Sequence, residues 1–212
     1  MNMDITDTRT RLIEAATALV FERGYNAVGV QEVCERAQVK KGSFYHFFPS
    51  KQALVASAIQ HRWQTFKVAL ERAAALALPP LERFEVVFAT LHQQYDARLE
   101  AGAAITGCPF GSLALEVSAH DPTLRAALQA VFDEWTALFE GVFREALERG
   151  DLPAEGDPRR GGAALLAYLE GVLLLVKNSQ NPELLAHLAP TPLQLVAFAV
   201  PAPSPRLRKA TS

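Results

Sequence analysis

The sequence predicts an all-α protein in two parts, a small three-helix unit followed by a larger helical bundle. Three observations carry this. Apolar residues recur at helical spacing through nearly all of the 212 residues, and no stretch sustains the every-second-residue alternation of a strand. A capping residue followed by proline also recurs, at Asp121-Pro122, Asp157-Pro158, Asn181-Pro182 and Thr191-Pro192. Proline suits the first helical position because its missing N–H would have no partner there.

The elements follow in order. Leu12, Ile13, Ala16, Leu19 and Val20 form one apolar stripe, which predicts a first helix over Thr8 to Arg23 closed by Gly24. Val30, Val33 and Ala37 mark a second, short helix, and a third falls within Lys40 to Phe47, with Gln38 and Val39 in the turn between. Ser50 can cap a long fourth helix reaching about Leu76. Pro79-Pro80 separates it from a fifth. The segment EAGAAITGCPFG breaks the chain before a short apolar helix at Ser112 to Val117. Asp121-Pro122 opens the next helix, another runs from Pro158 to about Asn178, and a last one runs from Asn181 or Thr191 to Phe198. The expected division is 1–50 and 51–200, with a Pro-rich, basic tail at 201–212 that should be disordered.

Composition excludes several classes. With 21 Lys plus Arg against 23 Asp plus Glu the chain is nearly neutral, so any affinity for an anionic partner must come from a local site. Cys34 and Cys108 are too far apart for a C-x-x-C site, which fits a reducing cytoplasm. The N-terminus has no apolar signal segment. The most apolar run, Ala163 to Val176, is shorter than the roughly 20 residues a bilayer requires and contains Glu170, so no membrane contact is expected. His61, His92, His120 and His187 are scattered, and no H-E-x-x-H, G-x-S-x-G or Gly-rich phosphate loop is present. Neither an enzyme, a metal nor a cofactor is expected.

The segment KKGSFYHFFPSKQAL, residues 40–54, concentrates aromatic rings beside hydrogen-bond donors. Two short helices joined by a tight turn on a first helix describe a helix-turn-helix, whose second helix enters the DNA major groove. Phe44, with Phe47 or Phe48, can anchor a helix too short to persist alone. Lys41, Ser43, Tyr45 and His46 can then face bases or phosphates, Gly42 allows close approach, and Lys51 can hold a phosphate at a helix start. The bland alternative makes the lysines a solvated face and His46 incidental. The first 60 residues hold seven Lys or Arg against six acids, so binding would depend on placement and on paired recognition helices.

Arg11 to Leu54, RLIEAATALVFERGYNAVGVQEVCERAQVKKGSFYHFFPSKQAL, resembles the tetracycline-repressor (TetR) family of bacterial transcription regulators. The shared pattern is an A-x-x-L-F-like helix, a G-Y/F loop, a second helix ending in A-x-V, then K-G-x-F/L-Y-x-H/F-F-x-S/N-K. The resemblance implies DNA contacts from Lys41, Gly42, Ser43, Tyr45 and His46, from Gln31 on the second helix, and from Lys51 as the phosphate-binding lysine. Three positions depart from the family. Val28-Gly29-Val30 lacks the usual hydroxyl, Gln38 stands where glycine is common, and Lys40 stands where Ser or Thr is usual. Lys40 is therefore expected to meet phosphate directly by charge.

Beyond residue 55, bulky side chains at helical spacing recur: Trp63 and Phe66; Phe84, Phe88 and Tyr95; Trp135, Phe139 and Phe143. Such stripes fill bundle cores. The family resemblance implies that some also enclose a small-molecule pocket, with His92, Tyr95, Glu116 and Tyr168 as polar candidates and Phe110 beside them. TGCPFGSLALEVSAHDP resembles a segment, G-C-x-x-G-N-L-x-x-E, found in the subset that includes the repressor of N-ethylmaleimide reductase and the regulators of acrylate metabolism. Ser112 here replaces the commoner Asn. In the former a cysteine of this segment senses electrophiles. Cys108 is accordingly either a sensor or a small buried hydrophobe, whereas Cys34 reads as core. The apolar C-terminal helices suit a two-fold interface between copies, and the resemblance implies the same homodimer.

The sequence thus points to a cytoplasmic, homodimeric regulator, most simply a repressor, released from a palindromic operator by a small hydrophobic effector. One alternative makes modification of Cys108 the trigger. Another, of a different class, is a helical small-molecule-binding protein or enzyme with a vestigial DNA domain.

Overall fold

A computed structural model of the chain describes residues 5–152 and 156–189. Among these residues there are nine α-helices and no strand: α1 (Ile5–Arg23), α2 (Val30–Ala37), α3 (Lys41–Phe47), α4 (Lys51–Ala74), α5 (Pro80–Glu100), α6 (Pro109–Val117), α7 (Pro122–Glu148), α8 (Pro158–Ser179) and α9 (Glu183–Leu188). The predicted all-α fold is present. The Thr191-Pro192 helix start and the 201–212 tail lie outside the described residues.

Helices α1 to α3 form the N-terminal unit. Leu12, Ala16, Leu19 and Val20 of α1 are buried together with Val33, Cys34 and Ala37 of α2. Helix α1 ends where the Gly24 N–H donates to the Val20 carbonyl at 2.8 Å, with Gly24 at φ +90°. The α2–α3 turn passes through Gln38 at φ 55°, ψ 43°, a left-handed conformation that favours glycine. Compensation comes from Arg11. Its guanidinium reaches across from α1 and donates to the carbonyls of Ala37 at 3.0 Å and Gln38 at 2.8 Å.

Helix α4 follows, capped by Ser50 Oγ accepting from Ala53 N–H at 3.1 Å, and packs on both α1 and α7. The cap-proline device acts as expected at two places. Asp121 accepts from Leu124 N–H at 3.0 Å and Asp157 from Arg159 N–H at 3.0 Å. At α9 the N-cap is Pro182 itself, one residue later than expected, and Asn181 accepts from Glu183 N–H at 3.1 Å. Helix α6 starts at Pro109, three residues before the expected Ser112. Its cap is the Cys108 sulfur, which accepts from Gly111 N–H at 3.4 Å.

The core is aromatic. Trp63, Phe66, Phe110 and Trp135 pack with ring centroids 5.0–6.4 Å apart, and Phe139 adjoins Trp135 at 6.1 Å. Helix α8, 22 residues long, is apolar and long enough to cross a bilayer. Its apolar run from Ala163 to Val176 is interrupted by Glu170, as the sequence shows. Leu165, Leu169, Val172, Leu173 and Val176 are nonetheless buried within the protein. Gly161 and Gly162 bring α8 very close to α7: a Cβ at 162 would lie 2.7 Å from the Glu140 backbone nitrogen, and one at 161 would lie 2.6 Å from the Phe143 ring. On the outside, Leu115 of α6 and Leu174 and Leu175 of α8 are exposed.

Candidate functional site

Helix α3 divides by face. Phe44 is fully buried and Phe48, just past the helix, nearly so, while Phe47 is half-buried with His46 edge-on to it at 5.2 Å. Phe44 meets Tyr45 edge-on at 5.1 Å and Phe48 at 6.1 Å, and the Arg9 guanidinium lies 5.2 Å from the Phe48 ring. The rings supply the core that seven residues cannot supply by propensity.

Lys40, Lys41, Gly42, Ser43, Tyr45 and His46 are all exposed. Tyr45, 56% exposed, is the largest apolar surface that α3 presents. A Cβ at Gly42 would meet nothing within 4 Å, so nothing within the described chain demands glycine there. Lys40 occupies the N-cap of α3 and makes no side-chain cap bond. Gln31 is exposed on α2 with its amide nitrogen donating to Glu35 at 2.9 Å.

Lys51 has partners within the protein. Its ammonium donates to the Tyr25 carbonyl at 2.5 Å and lies 3.9 Å from the Tyr25 ring centroid. Burial lowers its pKa, partly offset by the Glu116 charge. These contacts hold the ammonium at the first turn of α4, where the sequence expectation puts a phosphate.

Among the described residues, clefts of about 410–470 Å³ border the C-terminal helices. The first, about 470 Å³, lies between α6 and α8, lined by Cys108, Gly111, Ser112, Leu115, Glu170 and Lys177 among others. The second, about 410 Å³, involves Phe21 of α1, Arg62 and Phe66 of α4, Tyr95 and Arg98 of α5, and Pro109. A third, about 420 Å³, runs between Val20–Gly24 and residues 104–116. Of the sequence candidates, Trp63, Phe66, Phe110, Trp135 and Phe139 form the aromatic cluster, and Phe88 faces Tyr168 at 6.3 Å. The polar candidates are dispersed. His92 lies between Asp96 at 3.2 Å and Glu183 at 3.6 Å, and the Tyr168 hydroxyl donates to the Leu188 carbonyl at 2.9 Å. Tyr95 is buried, and burial foremost pushes its phenol up to about 12.

Glu116, a polar candidate from the sequence, lines the third cleft and also bonds the N-terminal unit. Both of its oxygens accept backbone N–H groups of the N-terminal unit, from Tyr25 at 2.9 Å and Asn26 at 2.7 Å. These partners stand about ninety residues away in sequence, so no local signal could reveal them.

Around Cys108 the sequence reading omitted two neighbours. Burial, then the Glu170 charge and hydrogen bond, push the buried Cys108 thiol up well above its ordinary value. Burial also raises the Glu170 carboxyl, and the Cys108 hydrogen bond lowers it in part. Lys177 donates to Ser112 Oγ at 3.0 Å on the same cleft wall. A lone acid and a lone lysine within an apolar helix were the available signals.

Comparison with known proteins gives a consistent result. Residues 12–58 match the family described as bacterial regulatory proteins, tetR family, and residues 81–191 match the tetracyclin repressor-like C-terminal domain. The chain is 35% identical to the transcriptional regulator AcuR of Cereibacter sphaeroides, over 81% of this chain and 77% of that protein. It is 30% identical to the transcriptional repressor DhaR of a Mycobacterium species, over 84% and 86% respectively. The crystal structure of reduced Escherichia coli NemR superposes with a TM-score of 0.74 at 25% identity, covering 89% of this chain and 96% of that one.

Proposed function

The chain belongs to the tetracycline-repressor family of DNA-binding transcriptional regulators, which are not enzymes, and on that premise we propose that it is a cytoplasmic, homodimeric repressor released from a palindromic operator by a small hydrophobic effector. The observation that carries the reading is the division of α3 between a buried Phe44 and exposed Lys41, Tyr45 and His46. Ser43, Gly42 and Lys40 extend the same surface, and Gln31 flanks it from α2. Helix α8 and its C-terminal neighbour α9 form the interface with the second copy, which sets two α3 helices against successive major grooves. An effector bound at the C-terminal clefts releases DNA only if it binds the incompetent conformation more tightly. The aromatic cluster and the apolar wall of the α6–α8 cleft favour a hydrophobic effector.

The test uses genomic fragments selected by the wild-type protein. Lys41→Ala with Tyr45→Ala should weaken their retention in a gel-shift by about 2–6 kcal/mol if the two losses add. Both side chains are exposed, so thermal stability should stay near wild type. Undiminished retention would overturn the assignment of α3.

A second reading makes Cys108 the trigger, favoured by its place in the wall of the α6–α8 cleft. Burial and Glu170 keep the thiol protonated, so alkylation by N-ethylmaleimide should be slow. Glu170→Gln, which removes the carboxylate charge, should accelerate it. In a Cys34→Ala background, mass spectrometry reports the adduct at Cys108 alone. If N-ethylmaleimide releases DNA from Cys108→Ser as readily as from wild type, this reading fails.

A further inference from the structure

Glu116 is one of the points at which the C-terminal helices take hold of the N-terminal unit, beside the packing of α1 on α4. Its two carboxylate oxygens each accept one backbone N–H, from Tyr25 and Asn26, in the loop that joins α1 to α2. Gly24 brings that loop so near that a Cβ on it would lie 2.8 Å from Glu116 Oε2. From α4, Lys51 holds the carbonyl and the ring of the same Tyr25. Nearby, within the C-terminal helices, the Gln52 amide of α4 donates at 2.7 Å to Asp121, the cap of α7. Both bonds therefore end on α6 or on the turn that follows it.

The geometry has a mechanical content. Helix α6 has nine residues, about 13 Å of rise, with Cys108 capping one end at the α6–α8 cleft and Glu116 near the other. Charge-assisted bonds to backbone N–H groups are directional and strong. They fix the loop that leads directly into α2, and α2 carries α3 through the turn anchored by Arg11.

We infer that Glu116 is a positioning residue for DNA recognition: its grip on the Tyr25 and Asn26 amides sets the orientation of the α2–α3 reading surface against the C-terminal helices. The inference rests on the DNA-regulator reading above. Glu116 itself touches no DNA in it.

The experiment measures orientation directly. Spin labels at Arg36→Cys on α2 and Ala137→Cys on α7, both positions at least partly accessible, are placed in a Cys34→Ala, Cys108→Ser background. Their separation is measured by double electron–electron resonance in the full-length protein. With Glu116 present the distance distribution should be narrow. Glu116→Ala should broaden it, and Glu116→Gln, which keeps one acceptor oxygen and loses the charge, should broaden it less. Amide exchange at Tyr25 and Asn26 should accelerate in the same order while α3 stays protected. Affinity for the selected genomic fragments should fall about 10- to 100-fold in Glu116→Ala.

A role confined to stability would lower the melting temperature without broadening the distribution. If both variants keep the wild-type distance distribution, the inference is overturned, and Glu116→Gln alone decides the matter should Glu116→Ala fail to fold. Failure of the wild-type protein to retain any DNA is a failure of the regulator reading and appears in that arm alone. The distance arm still decides whether Glu116 sets the orientation.

Discussion

Replacing Phe44 with alanine is expected to cost about 3–5 kcal/mol and to remove DNA binding by dissolving the helix that presents it. Phe44 has no exposed surface and lies between Tyr45 and Phe48. Helix α3 is seven residues long, far below the length at which an isolated helix persists. A loss of that size takes a large part of the roughly 5–15 kcal/mol that holds a domain folded. The contrast is the adjacent residue. Tyr45→Ala removes a side chain that is 56% exposed, so it should leave stability nearly unchanged and reduce DNA retention through lost contacts. Urea denaturation with amide exchange separates the two, because Phe44→Ala should expose the α3 amides and Tyr45→Ala should not. Persistent protection of α3 in Phe44→Ala would refute the anchoring role.

Trp135→Ala is expected to be as damaging, again about 3–5 kcal/mol, because Trp135 is fully buried within the cluster of Trp63, Phe66, Phe110 and Phe139. Trp135→Phe should behave differently. The indole Nε1 is buried and has no hydrogen-bond partner among the described residues, and an unmet buried donor costs about 1–3 kcal/mol. Phenylalanine loses packing volume and also removes that penalty, so the net change should stay below about 1.5 kcal/mol. Trp63 provides the control, since its indole N–H donates to Glu134 at 2.9 Å. Trp63→Phe should cost more than Trp135→Phe. Equal losses in thermal unfolding would show that the unmet donor carries no penalty.

Local chemistry made much of this structure legible in the sequence. The starts of α7 and α8 could be read because Asp-Pro pairs act on the residues immediately following them. The burial of Phe44 could be read because a short helix needs an anchor. The start of α6 was missed by one turn, since its cap is a sulfur and not one of the usual oxygen side chains. Gln38 shows the opposite limit. The sequence marked it as standing in a glycine position, but the support from Arg11, 27 residues earlier, is visible only in space. Two charged residues show the same limit. Lys51 and Glu116, expected to meet external ligands, also bond Tyr25, which neither residue type nor spacing reveals. A residue's type and spacing tell what it can bind, and only the fold tells what has already bound it.

The close approach at Gly161 and Gly162 limits how α7 and α8 can move past each other. With the α7 backbone at Glu140 within reach of position 162, sliding the pair would drive one main chain over the other. Any shift of the N-terminal unit against that pair should therefore pass through α6 and α4, which bond it at Glu116 and Lys51.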